Sequence, residues 1–315
     1  MTSTTVKPNV IVICGPTGVG KTAAAIELAE IFGGKIVNAD SMQIYRYMDI
    51  GTAKPTHEER SRIPHYMIDI VDPDESFDAA RFARMAHDRI IGLDNNNVIP
   101  FVVGGTGLYI KALLHGLFRD RPPDPDVLER LNKEAASRGT DFLYKRLSGC
   151  DPETAKRLHP NDIFRIVRAL EIYEVTGKRI SEYQKEHRFS GEPFNALKIC
   201  LNKDREILYD RINRRVEAMI NQGLVDEVKG LLARGYSADL KSMRSIGYRH
   251  TTDFLSGKIS WDEALETLKR DTRRYAKRQL TWFRADSEIQ WHDPDNLRDI
   301  HRLIKFFLKQ SPSGL

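Results

Sequence analysis

The chain sets apolar runs against amphipathic stretches almost from its first residues. Residues 9–14, NVIVIC, are one unbroken apolar run with the length and β-branched content of a buried strand. A glycine-rich octet, GPTGVGKT, leads from it into AAAIELAEIF, which reads as a helix. KIVNAD and MIDIV (67–71) read as short strands, a helix is predicted near 78–92, and VIPFVV at 98–103 is a further strand. Strands alternating with helices predict a parallel sheet with helices on both faces. Prolines in DRPPDPDVLERL, from 120, break the pattern, and from there to about 190 only helices are predicted. LKICL at 197–201 reads as a strand returning to the sheet. The expected organisation is an α/β core begun by residues 1–115, a helical insertion over 116–196, and a return to the core with C-terminal helices over 197–315. The final SPSGL is expected to fray.

Composition adds limits. Of 315 residues, 41% are hydrophobic and 30% charged, the balance of a soluble globular protein. No apolar run approaches the roughly 20 residues that span a bilayer, and MTSTTVKPN lacks the pattern of a secretory signal. A cytoplasmic protein with no membrane contact is expected. Cys14, Cys150 and Cys200 are too few and scattered for a zinc site or disulfide framework and fit free thiols in a reducing compartment. The net charge of +5 hides a gradient: residues 1–110 carry 10 basic and 13 acidic side chains (−3), so the remainder nets +8. Either a polyanion meets the later segments or they form a solvated basic surface.

GPTGVGKT matches G-x-x-x-x-G-K-[ST] at a strand–helix junction, the context in which the motif is a P-loop. Gly15, Pro16, Thr17, Gly18, Val19 and Gly20 form the loop, whose glycines would let backbone amides turn inward around phosphate oxygens; Lys21 would reach the terminal phosphates, and the Thr22 hydroxyl would ligate magnesium. Hydrolysing P-loop enzymes usually carry an acid at the tip of a later strand, whereas VIPFVV ends in Gly104, Gly105, Thr106 and Gly107. That favours group transfer over hydrolysis by water. Asp40, at the tip of KIVNAD, then has three open roles: capping the next turn, supporting magnesium, or taking a proton from a nucleophile. Gln43 could pair with both edges of an adenine.

Together these residues resemble the tRNA dimethylallyltransferases (tRNA isopentenyltransferases), bacterial type, over nearly the whole chain. The resemblance is carried by GPTGVGKT at 15–22, DSMQIY at 40–45, MDIGTAKP at 48–55, VGGTGLY at 103–109 and HPNDIFRIVRALEI at 159–172. RINRRVEAM at 211–219, RSIGYRH at 244–250 and AKRQLTWFR at 276–284 complete it. It implies transfer of a dimethylallyl group from its diphosphate to the exocyclic amine of the adenosine immediately 3′ of the anticodon. It makes Asp40 the general base, gives the P-loop and Arg215 to the donor diphosphate, and places Thr106 at the channel floor against the acceptor nucleotide. RNA contact is implied for Asp40, Ser41, Met42 and Gln43, and in the insertion for Phe164, Arg165, Ile166, Val167 and Arg168. It is also implied for Arg244, Ser245, Ile246, Gly247, Tyr248 and Arg249. Magnesium is the implied cofactor; tRNA (its anticodon stem-loop) and dimethylallyl diphosphate are the implied partners of a monomer. Two departures are visible: Gly18-Val19 where the family often has Ala-Ser, and His250 where Gln is common; the sequence shows no Cys/His cluster like the zinc finger that eukaryotic members can add, which fits the bacterial type.

Elementary chemistry agrees with this reaction. Lys21, Arg215 and magnesium on Thr22 would neutralise charge building on the leaving diphosphate, and an adenine amine gains nucleophilicity as a carboxylate takes its proton. Seven of residues 268–284 are basic and one acidic. Arg270, Arg273, Arg274, Lys277 and Arg278 share one helical face, with Leu265, Leu268, Tyr275, Trp282 and Phe283 expected to pack on the other. Such a face could track an RNA backbone or be ordinary solvated surface. Taken alone, Arg165 and Arg168 would pair with Glu171 and its neighbours. A small-molecule kinase, a prenyltransferase of free adenine nucleotides and a non-catalytic RNA-binding protein are the competing readings. None of them accounts for DIGTAKP, the helical insertion, the basic helix and an intact Lys21, Thr22 and Asp40 together.

Overall fold

The computed structural model describes residues 7–116, 124–187 and 193–310; the DRPP of 120–123 and the terminal SPSGL lie outside them. The apolar runs form a six-stranded sheet: β1 (Asn9–Cys14), β2 (Lys35–Asn38), β3 (His65–Tyr66), β4 (Pro100–Gly104), β5 (Asn195–Leu201) and β6 (Gln290–His292). Its order is β3-β2-β4-β1-β5-β6, with every pairing parallel. The returning strand β5 lies directly beside β1, with Asn9 opposite Asn195 and Cys14 opposite Cys200.

Helices follow in chain order: α1 (Lys21–Ile31), α2 (His57–Arg62), α3 (Ala79–Asp94) and α4 (Gly107–His115); then α5 (Pro125–Arg138), α6 (Thr140–Cys150), α7 (Pro152–Arg157), α8 (Ile163–Thr176) and α9 (Ile180–His187); and finally α10 (Arg205–Asn221), α11 (Leu224–Ala233), α12 (Tyr248–Leu255), α13 (Trp261–Arg284) and α14 (Leu297–Gln310). The chain divides into two compact units, Met1–Leu114 with Pro193–Leu315, and His115–Glu192.

In the first unit, Ile11, Ile13, Phe101 and Ile199 of the sheet pack against Ala25 and Leu28 of α1, Ile212 of α10 and Ile304 of α14. Each fully buried aliphatic or aromatic side chain of this kind is worth about 1.5–3 kcal/mol. MIDIV does not form the predicted strand. Pairing with β2 falls earlier, at His65–Tyr66, and beyond it only Val71 bridges, to Tyr45. Met67 and Asp69 have φ of 64° and 55°, outside extended geometry. A buried ammonium explains the distortion: Lys54 Nζ donates to Asp69 (2.6 Å), Asp49 (2.7 Å) and the Tyr45 carbonyl (2.5 Å), and an unpaired cation there would be costly. At the other edge β6, three residues long, is too short to show a period in sequence.

MDIGTAKP and RSIGYRH clasp each other. Glu227 of α11 accepts the backbone N–H groups of Asp49 (2.9 Å), Ile50 (2.7 Å) and Gly51 (3.1 Å), and the Tyr248 hydroxyl at 2.6 Å. Tyr248 is fully buried, and a Cβ at Gly51 would meet its ring at 2.5 Å, so glycine is required there by close packing. His250 is bonded through both ring nitrogens: Nδ1 meets Gly247 N–H at 3.4 Å and Nε2 lies 3.3 Å from Asp271.

The second unit is built of α5 to α9. Asp124 caps α5 by accepting from Asp126 and Val127 N–H, and Asp162 caps α8 by accepting from Arg165 N–H. Its core is Leu131, Leu143, Leu147, Ile166, Val167 and Leu170.

Candidate functional site

Three loops leave the carboxyl ends of parallel strands on one edge of the sheet: 15–20 after β1, 39–43 after β2 and 105–106 after β4. Ligands of open α/β sheets bind at such an edge. In the first loop Gly15, Gly18 and Gly20 take φ of 143°, 80° and 105°, and a Cβ at Gly18 would strike Ile212 at 2.9 Å. Only glycine accommodates both demands. Lys21, the first residue of α1, folds back so that Nζ donates to the Pro16 carbonyl at 2.8 Å.

A cavity of about 430 Å³ opens there, lined by Thr17, Gly18, Gly20, Lys21 and Thr22 of the loop, Asn38, Asp40 and Gln43 of the β2 tip, Arg211, Arg214 and Arg215 of α10, and Tyr275 and Gln279 of α13. Burial and the neighbouring Arg215 push the Lys21 ammonium down to about 8, against the opposing pull of Asp40. Burial likewise lowers Arg215, again opposed by Asp40. Four cations, Lys21, Arg211, Arg214 and Arg215, against two carboxylates, Asp40 and Glu59, make a site short of negative charge, and a bound diphosphate would supply it.

Asp40 makes the cap that strand-tip acids often make: Oδ1 accepts Met42 N–H at 2.8 Å and Gln43 N–H at 3.4 Å. Capping and proton transfer do not compete, because one oxygen serves the turn and Oδ2 is left to accept a proton. Gln43 differs from expectation. Its amide donates to the Thr52 and Ala53 carbonyls, both at 3.1 Å, so its two protons brace the DIGTAKP turn and are not available to an adenine. The Thr106 hydroxyl is also committed, accepting Ser41 N–H (3.0 Å) and donating to Ser41 Oγ (3.3 Å). Gly104 and Gly105 serve packing, since a Cβ on the first would lie 2.1 Å from the Ala39 carbonyl oxygen and on the second 2.2 Å from Gln279 Nε2.

Sequence reasoning missed five of these lining residues: Gln279, Arg211, Arg214, Asn38 and Tyr275. Gln279 is buried and ties two loops together, accepting Thr17 N–H at 2.9 Å and donating to the Gly105 carbonyl at 2.8 Å. Arg211 sits one helical turn before Arg215 on the same face of α10; that i, i+4 spacing was the available signal. Asn38 turns a buried Nδ2 without a partner into the same neighbourhood. Tyr275, expected to pack on the apolar face of its helix, instead lines the cavity.

The remaining candidates are distributed as follows. On α13, Arg270, Arg274, Lys277 and Arg278 are exposed, while Arg273 turns toward α10 to bond Asn213 at 2.7 Å. Leu268 and Phe283 are buried, and Trp282 is partly exposed with its indole over Gly107. Arg244 pairs with Asp239 and Arg249 with Asp271, both on the surface. Gly247 and Tyr248 are interior and cannot be direct RNA contacts in this arrangement, while Ser245 and Ile246 are half-buried. In the helical unit Phe164 is 80% exposed beside Arg165, which pairs with Asp162 at 2.7 Å. Ile166 and Val167 belong to the core, because a stretch of five helical residues cannot present every side chain to one ligand. Arg168 pairs with Glu171, as its spacing predicted. Cys14 and Cys200 are buried free thiols and Cys150 a half-buried one. Among the described residues no helix is long and apolar enough to cross a membrane.

Fold and cavity together define an α/β protein with a P-loop at the carboxyl edge of a parallel sheet. Residues 43–286 match the family model described as IPP transferase. A tRNA dimethylallyltransferase of Desulfosudis oleivorans is 59% identical over 304 residues, covering 96% of this chain and 97% of that protein. Two solved structures share the architecture. The full-length tRNA isopentenylpyrophosphate transferase of Bacillus halodurans has a TM-score of 0.73 at 41% identity, over 97% of this chain and 98% of its own. A eukaryotic dimethylallyltransferase described as acting on tRNA has a TM-score of 0.78 at 32% identity, over 97% of this chain and 77% of its own. The chain belongs to the IPP transferase family.

Proposed function

We propose that this protein is a tRNA dimethylallyltransferase: it moves the dimethylallyl group of dimethylallyl diphosphate to the N6 amine of the adenosine immediately 3′ of the anticodon and releases diphosphate. The observation that carries the reading is the shared cavity, in which a carboxylate with one uncommitted oxygen faces a P-loop lysine and an arginine. Lys21, Arg215 and the backbone amides of Gly18 and Gly20 hold the diphosphate and take up the charge that collects on it as the C1–O bond breaks. Asp40 Oδ2 accepts the N6 proton as the new C–N bond forms.

Among the described residues no three His, Cys, Asp or Glu side chains cluster into a metal cage. Magnesium needs none here, since it commonly takes one or two protein ligands with substrate phosphates and water. Thr22 is the residue that would hold it, and the bound ion would neutralise charge on the leaving group. The exposed cations of α13, with Arg244 and Arg249, are assigned to the RNA backbone. Phe164 and Arg165 are assigned to the anticodon arm from the helical unit. Ser41 and Met42 border the adenine.

The test is transfer from labelled dimethylallyl diphosphate, with magnesium, to an unmodified adenosine-rich anticodon stem-loop, with free AMP competing. Label on the RNA alone is expected. Label on AMP alone would make the protein a free-nucleotide prenyltransferase, and ATP-dependent phosphorylation of a small acceptor without any label transfer would make it a kinase.

A further inference from the structure

Tyr275 is the aromatic side chain among the described residues that line the reaction cavity. Its position is set by its helix and by the strand tip it faces. One turn along α13, Gln279 anchors the helix to Thr17 of the P-loop and to Gly105. At the ring's own end, the hydroxyl feels the charge of Asp40 and lies near Thr106, whose own hydroxyl accepts Ser41 N–H beside Asp40. The ring is thereby held between the loop assigned to the donor phosphates and the strand tip assigned to the acceptor amine. Burial and the charge of Asp40 raise the phenol's pKa, so it stays neutral. Arg278 also approaches this ring, its guanidinium carbon 5.6 Å from the centroid.

We infer that Tyr275 is a catalytic residue of the transfer step, its π-face meeting the dimethylallyl group as positive charge develops on it. The inference rests on the prenyl-transfer reading above. In the step, the C1–O bond breaks with its electron pair going to the diphosphate, N6 bonds to C1, and the N6 proton passes to Asp40. Between bond breaking and bond making, the allyl carbons carry positive charge in a cavity whose fixed cations, Lys21 and Arg215, serve the other end of the donor. An aromatic ring stabilises such charge through its quadrupole without capturing the cation as a nucleophile would. A buried ring of this kind changes a rate roughly 5- to 30-fold.

Single-turnover transfer to the stem-loop tests this, with Tyr275→Phe, Tyr275→Leu and a series carrying one, two or three fluorines on a phenylalanine incorporated at position 275. Phe is expected to stay within about threefold of the unsubstituted protein, because the ring survives loss of the hydroxyl. Each fluorine weakens the quadrupole and should lower the logarithm of the rate by a similar step, with Leu falling roughly 5- to 30-fold. Near-isosteric fluorination leaves packing intact, so the trend reads electronics rather than folding. A flat rate series would overturn the inference, as would a series that shifts only the KM for RNA, which would make the ring a stacking surface for the base. Failure of the unsubstituted protein to transfer label at all would instead reject the prenyl-transfer reading itself.

Discussion

Replacing Gln279 tests how the two substrate loops are held together. Its side chain accepts Thr17 N–H and donates to the Gly105 carbonyl, so Gln279→Leu removes both bonds while keeping most of the volume. Thr17 is half-exposed and water can replace its partner, which limits that loss to about 1 kcal/mol. Gly105 is buried, and a carbonyl left without a partner there costs about 1–2 kcal/mol. The sum, about 2–3 kcal/mol, corresponds to roughly 3–5 °C in Tm for a protein of this size. Gln279→Glu separates the two ends: a carboxylate still accepts from Thr17 but sets a second acceptor against the Gly105 oxygen, so it should also destabilise, and less so as pH falls and the acid protonates. Urea unfolding and diphosphate affinity, measured on both variants, check this. A Leu variant within about 0.5 kcal/mol of the parent, with unchanged diphosphate affinity, would refute the reasoning.

Four further outcomes are expected. Asp40→Asn keeps the cap, because an amide oxygen also accepts from Met42 N–H. It should cut turnover at least about 100-fold while RNA affinity holds; unchanged turnover would leave Asp40 with capping alone. Lys21, at about 8 in the free protein, is mostly neutral at pH 9, and a bound diphosphate favours its charged form. Binding of a non-reactive prenyl diphosphate should therefore take up a proton at pH 9 and almost none at pH 6.5, with affinity weakening up to about tenfold per pH unit above 8. Calorimetry in buffers of different ionisation enthalpy measures this, and equal heats at pH 9 would contradict it. The double variant Arg274→Ala, Lys277→Ala should weaken RNA binding and flatten its salt dependence by about two phosphate contacts, whereas an unaltered slope would return α13 to ordinary surface. Tyr248→Phe should cost about 1.5–3 kcal/mol in urea unfolding, since it takes a hydroxyl from the Glu227 carboxylate; a neutral result would mean the three backbone N–H groups satisfy that carboxylate by themselves.

Sequence by itself determined the elements whose rules are local. NVIVIC, VIPFVV and LKICL became β1, β4 and β5 because long apolar runs have few alternatives to a buried sheet, and the octet between β1 and α1 became a phosphate-type loop because its glycines meet positive φ. Lys21, Thr22, Asp40 and Arg215 came from motif positions, and the structure gathers them around one cavity. Tertiary structure decided what depended on partners far along the chain. MIDIV was bent out of extended geometry by the charges around Lys54. Gln43 was given to the 52–53 turn, and Tyr248 to a glutamate 21 residues earlier. Gln279 and Tyr275 read as ordinary residues of a basic helix, and only the packing of α13 across the mouth of the sheet brought one to the P-loop, 262 residues away, and the other into the cavity. Periodicity tells which face of a helix is apolar; which polar side chain on that helix finds a distant loop is fixed only when the loop is placed beside it.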